Sequence, residues 1–115
     1  MPQQTCVKHI AYLLDQQTIC VTDLENDIQH SVSHKVSIDF LELNESATLI
    51  IFRDKEQDLY LFDVLKQMKS FLQDRVGYAQ WIPESDGLVA QSRNQMFVWY
   101  NLNNMKQVII SLENN

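Results

Sequence analysis

Five residues of the kind that bind zinc, Cys6, His9, Cys20, His30 and His34, fall in the first third of the chain. His30 and His34 have the spacing of a zinc half-site, but Cys6 and Cys20 stand 14 apart and form no close cysteine pair. If 28–34 is extended, the two histidines lie roughly 13 Å apart at ~3.3 Å per residue, too far to share one ion. Cys20 then packs as a small apolar side chain and His34 bonds a turn. Carboxylates pair up in turns, Glu56 with Asp58 and Glu84 with Asp86, where acids act as solvated turn formers. No serine stands in a nucleophile elbow, and two glycines cannot build a phosphate loop. The residues predict no catalytic, cofactor-binding or metal site.

The balance of charge narrows the partners. With 15 acidic against 9 basic residues, the 115-residue chain carries −6 at pH 7. Nucleic acid and anionic membranes attract positive fields, so neither is expected to bind. Apolar runs are a few residues long, against the ~20 of a membrane helix, so no membrane insertion is expected. Two cysteines fit a reducing compartment, and the expectation is a soluble, acidic, intracellular protein.

Elements that could position any site are short and strand-like. Apolar runs occur at His9–Leu14, Thr18–Leu24, Val36–Leu43, Ala47–Phe52, Leu59–Asp63, Leu88–Ser92, Met96–Asn101 and Val108–Leu112. Polar clusters such as Asn44-Glu45-Ser46 and Arg93-Asn94-Gln95 bound them, as turns do. The runs also repeat. A shift of 40 lays Leu49–Asp54 on Val89–Asn94 and Ile38–Leu41 on Tyr78–Trp81. A shift of 37 then lays Leu59–Asp63 on Met96–Tyr100, and Ile19–Asp23 lies 40 before Leu59–Asp63. A period near 40 with four strands per unit predicts propeller blades. Residues 49–52 are apolar on both faces, as a strand between two blades must be. Ile28, His30 and Val32 alternate with polar residues, which suits a half-exposed outermost strand.

The fold expected is therefore all-β: antiparallel four-stranded units, about two full blades plus one partial blade that lacks its first strand. The units run 6–34 (partial), 35–75 and 76–115. One stretch offers an alternative. Val64, Leu65, Met68, Phe71 and Leu72 have helical spacing behind a possible N-cap at Asp63. A helix at 63–75 would make the chain a free-standing α+β interaction module of the trafficking type. The matching segments 23–33 and 101–112 carry no helical period, which favours the blades.

The series Ile38–Glu45, Phe52-Arg53-Asp54, Leu59–Asp63, Gln80–Pro83, Leu88–Gln91, Arg93-Asn94 and Val98-Trp99-Tyr100 resembles WD-repeat blades. It is similar in particular to the large peripheral WD-repeat subunits of intraflagellar transport complex B, with N-terminal propellers and a long helical-repeat tail. That resemblance, over about residues 8–102, implies a polar lock within each blade. His34 and Asp54 would form it in the middle blade, with Asp63 ending the third strand. Ser33 stands where glycine is usual and Phe62 replaces tryptophan. The last blade has Asn94 for the aspartate and no histidine before its first strand. Phe62, Trp81, Phe97 and Trp99 are then expected to carry inter-blade packing, and Asp54→Ala to cost about 1–3 kcal/mol. Tyr78 and Tyr100, near strand ends, are the candidate partner contacts.

An arc of fewer than three blades leaves apolar terminal faces, so the rest of the propeller or partner chains must close the ring. The resemblance implies a non-catalytic protein–protein interaction scaffold without a cofactor. Its implied partners are protein subunits of intraflagellar transport complex B, and its implied location is cytoplasm and cilium.

Overall fold

The computed structural model describes residues 8–102 in full, together with the backbone of the strands Gln3–Cys6 and Lys106–Ser111. Twelve strands make three antiparallel sheets. The first sheet runs β1 (Gln3–Cys6), β2 (His9–Asp15), β3 (Thr18–Asp23) and β4 (Ile28–Ser33). The second runs β5 (Ile38–Leu43), β6 (Leu49–Asp54), β7 (Leu59–Asp63) and β8 (Met68–Gln73). The third runs β9 (Val76–Trp81), β10 (Leu88–Ser92), β11 (Gln95–Asn101) and β12 (Lys106–Ser111). Each is an up-and-down meander, because turns of a few residues can join only neighbouring antiparallel strands.

Packing between sheets follows from side-chain parity. In β6, Leu49, Ile50, Ile51 and Phe52 are all buried. Ile50 and Phe52 enter a core with Ala11, Leu13, Ile19 and Val21 of the first sheet. Leu49 and Ile51 enter a second core with Leu88, Ala90, Phe97 and Trp99 of the third. The middle sheet is thus buried on both faces, and each large apolar side chain contributes about 1.5–3 kcal/mol. Turns fasten each sheet to the next. Ile38 N–H donates to Gln16 O (2.7 Å) and Val76 N–H to Gln57 O (2.8 Å), each reaching back to a turn of the preceding sheet. Val64 N–H to Thr48 O (3.0 Å) and Leu102 N–H to Asp86 O (2.9 Å) close the far ends of the middle and last sheets.

Residues 63–75 do not form a helix. Val64–Gln67 is a turn, with Gln67 at φ 55°, and β8 follows. The edge of β7 leaves backbone groups that only a neighbouring strand satisfies in register, and β8 supplies it from Leu59↔Gln73 to Asp63↔Met68. The helical spacing was accidental: Leu65, Met68 and Phe71 are exposed and line no common buried face. The α+β alternative falls with it. The first unit was expected without its first strand, yet the four-residue β1 occupies that place against β2. Gln3-Gln4-Thr5-Cys6 has no apolar alternation by which a strand could be read.

Candidate functional site at the blade junctions

Most buried polar chemistry of the described residues lies where sheets meet. His34, on the connection from β4 to β5, and Asp54, at the end of β6, come together: Nε2 lies 2.8 Å from Oδ2. Both are buried, Asp54 to 1 % exposure. The other carboxylate oxygen of Asp54 accepts the amides of Glu56 (2.9 Å) and Asp58 (3.2 Å), which shapes the β6–β7 turn. Lys69 of β8 brings Nζ to 3.1 Å from His34 Nδ1 and 5.6 Å from the Tyr60 ring centroid. The imidazole meets Phe52 and Tyr60 edge-on, at 5.1 and 4.5 Å between centroids. Asp63 is not part of this cluster; its Oδ1 accepts Lys66 N–H in the β7–β8 turn (3.0 Å). That Tyr60 and Lys69 meet His34 was not legible in the sequence, because these contacts depend on cross-strand geometry.

The second junction is built otherwise. Strand pairing makes Leu88, Ala90 and Ser92 the counterparts of Ile50, Phe52 and Asp54, because Leu88↔Trp99 and Ala90↔Phe97 match Ile50↔Phe62 and Phe52↔Tyr60. The offset in this strand is therefore 38, not 40. Ser92, not Asn94, stands in the aspartate's place, while Asn94 is exposed in the β10–β11 turn. Ser92 Oγ donates to Asp74 O (2.8 Å), and the buried Leu72 holds the place of His34. Trp81 Nε1–H donates to Glu42 O across the junction (3.0 Å). Burial raises the Glu42 carboxyl above its ordinary range, and the Trp81 amide beside it offsets part of that. Trp81, Phe97 and Trp99 are buried here, whereas Phe62 packs in the first core. The rings of Phe97 and Trp99 stack 6.2 Å apart.

At the opposite end Asn44, fully buried, ties the two turns together. Its Oδ1 accepts Thr48 and Leu49 N–H (2.9 and 3.0 Å), and its Nδ2 donates to Asp86 Oδ1 (2.8 Å). The sequence marked this asparagine only as a turn residue. No buried side-chain polar atom among the described residues lacks a hydrogen-bond partner.

Little of this arrangement is suited to ligand chemistry. Asp54, Glu56 and Asp58 bring carboxylate oxygens within 4.8 Å of one another. Asp54 already uses both oxygens, and burial together with Asp54 and Asp74 raises the Asp58 carboxyl. Of the zinc candidates, His9 faces Asp23 at 3.7 Å and Cys20 faces Thr22 at 3.8 Å, each apart from His34. The side chain of Cys6 lies outside the described residues. A cleft of about 510 Å³ beside His34 is walled by polar side chains such as Gln16, Gln17, Thr18 and Ser33, unlike the apolar pockets that take cofactors. Tyr78 and Tyr100 are 49 % and 65 % exposed; the Tyr78 hydroxyl donates to Gln80.

Comparison with known proteins agrees with this architecture. Two solved propellers resemble the fold at low identity. The β-propeller of the Trilobed protease from Pyrococcus furiosus, described as having an open velcro topology, has a TM-score of 0.71 at 12 % identity, over 96 % of this chain and 42 % of that one. The N-terminal domain of Nup159 has 0.68 at 17 %, over 94 % and 29 %. Curated relatives are nearer in sequence. Intraflagellar transport protein 172 of Chlamydomonas reinhardtii is 42 % identical over 84 % of the chain, and the Homo sapiens homolog 43 % over 83 %. The chain spans about 6 % of the length of either relative. The family model described as "IFT80 second beta-propeller" matches residues 9–107. The chain is therefore a WD-repeat propeller segment of the intraflagellar transport type, and it belongs to the IFT80 second beta-propeller family.

Proposed function

We propose that the chain is a non-catalytic scaffold, the blade portion of a subunit of intraflagellar transport complex B, working in cytoplasm and cilium. The observation that carries the reading is the family match over residues 9–107, which runs through all three stacked sheets. The buried polar groups support it, because they are spent on holding blades together rather than presented to a substrate. In this reading His34 and Asp54 lock the first junction, and Asp63 ends the third strand of the middle blade. Phe62, Trp81, Phe97 and Trp99 bind blade to blade. Further blades or partner chains cover the outer faces of the first and third sheets and close the ring.

Exposed Tyr78 and Tyr100 are the proposed contacts to complex B subunits, since a large amphipathic ring gives contact area at small entropic cost. The test is co-purification of tagged protein with complex B from ciliated cells. Wild type should elute with complex B subunits, and Tyr78→Ala with Tyr100→Ala should weaken recovery while leaving the melting temperature unchanged. Wild-type protein running free of complex B would overturn the reading.

A further inference from the structure

The cluster around His34 has a property that holding blades together does not require. An ammonium group only donates hydrogen bonds, so the 3.1 Å approach of Lys69 Nζ to His34 Nδ1 needs a lone pair on that nitrogen. The ring proton must then sit on Nε2, from which it donates to Asp54 Oδ2 at 2.8 Å. The neutral imidazole has one N–H and one lone pair, and both are used. A second proton would have to enter at Nδ1, where it removes the acceptor and sets an imidazolium against an ammonium. We propose that Asp54, His34 and Lys69 form a proton-sensitive latch, in which protonation of His34 expels Lys69 and loosens the outer strand β8 from the first blade junction.

The surroundings set the balance. From the β6–β7 turn Asp54, Glu56 and Asp58 bear on the ring, and from the β2–β3 turn Asp15 shares its cleft. Tyr60 of β7 packs on it, Lys35 adjoins it in sequence, and β4 carries His30 on the face that Val32 shares. The Asp54 carboxylate meets one nitrogen of the ring and the Lys69 ammonium the other. Acid therefore strengthens the pair of His34 with Asp54 while it breaks the contact with Lys69. The consequence falls on β8, an edge strand whose Met68 and Phe71 are already exposed. Lys69 spans from this strand to the junction, so its release uncovers the Tyr60 ring as well.

The test compares wild type with Lys69→Met from about pH 7.5 to about pH 5.5, the span in which an imidazole ordinarily changes charge. Lys69 lies on an edge strand, so its variant should still fold. Wild type should melt above Lys69→Met at the upper pH, and that advantage should vanish or reverse at the lower. A second measurement needs no variant of the latch. Ring-nitrogen NMR of the labelled wild type, with signals assigned through His9→Gln and His30→Gln, should show the Nε2–H form of His34 at the upper pH. An advantage that stays constant across the pH span, or an Nδ1–H form of His34 at the upper pH, would overturn the proposal.

Discussion

The two junctions of this arc do the same mechanical work with different chemistry. Between the first and middle sheets a buried histidine–aspartate pair closes the end of the blade. Between the middle and last sheets, Leu72 and Ser92 stand in the corresponding places, and a hydroxyl bonded to a carbonyl replaces the imidazole–carboxylate hydrogen bond. Sheet stacking therefore comes from apolar parity, whereas the buried polar pair beside it can be exchanged. A buried hydrogen bond gains little net stability, yet removing one partner is costly because the other stays buried and unsatisfied. The first junction should thus be the more fragile one under polar mutation.

Asp54→Ala should have the largest effect. It strands His34 and two turn amides, and a loss of about 3 kcal/mol in denaturant unfolding is expected, the top of the range for unsatisfied buried groups. Asn44→Ala should cost about 2 kcal/mol, because Thr48 and Leu49 lose the acceptor for their amides at the far end. Ser92→Ala should cost only about 1 kcal/mol, since one partly buried carbonyl is left. A Ser92→Ala effect as large as that of Asp54→Ala would end the distinction between junctions.

Two smaller changes sharpen it. Arg93, exposed at φ 59°, holds a backbone shape that glycine adopts without strain, so Arg93→Gly should gain about 0.5 kcal/mol in thermal unfolding. Glu42 is raised by burial, so its contribution is present when protonated and lost as pH rises through the folded-state value. Glu42→Gln should therefore be more stable than wild type at neutral pH. That gain should shrink as pH falls toward the ordinary value of 4.5, which melting curves across pH would read.

Much of the fold was legible because alternation reports parity. Leu49 and Ile51 against Ile50 and Phe52 could be split between two cores from the sequence alone. The same strength hid an error. Sliding the second strand by two residues keeps every side chain on its own face, so a repeat of 40 matched as well as the observed 38 and gave Asn94 the place of Ser92. The segment 63–75 was ambiguous because a turn followed by a bulged strand mimics helical spacing over the nine residues 64–72. At the site, the resemblance to a repeat motif is what pointed to His34 and Asp54. It did not point to Lys69 or Tyr60, because their meeting depends on cross-strand and inter-sheet approach, of which the local pattern holds no trace. Asn44 reads as an ordinary turn residue until the neighbouring turn with Asp86 is placed beside it.

Amide hydrogen exchange of wild type and Asp54→Ala tests the central contrast most directly. Protection at Glu56, Asp58 and β5–β8 should fall in the variant while that of β9–β11 persists, because only the first junction rests on the pair of His34 with Asp54. Equal loss across all three sheets, or none at Glu56 and Asp58, would contradict it.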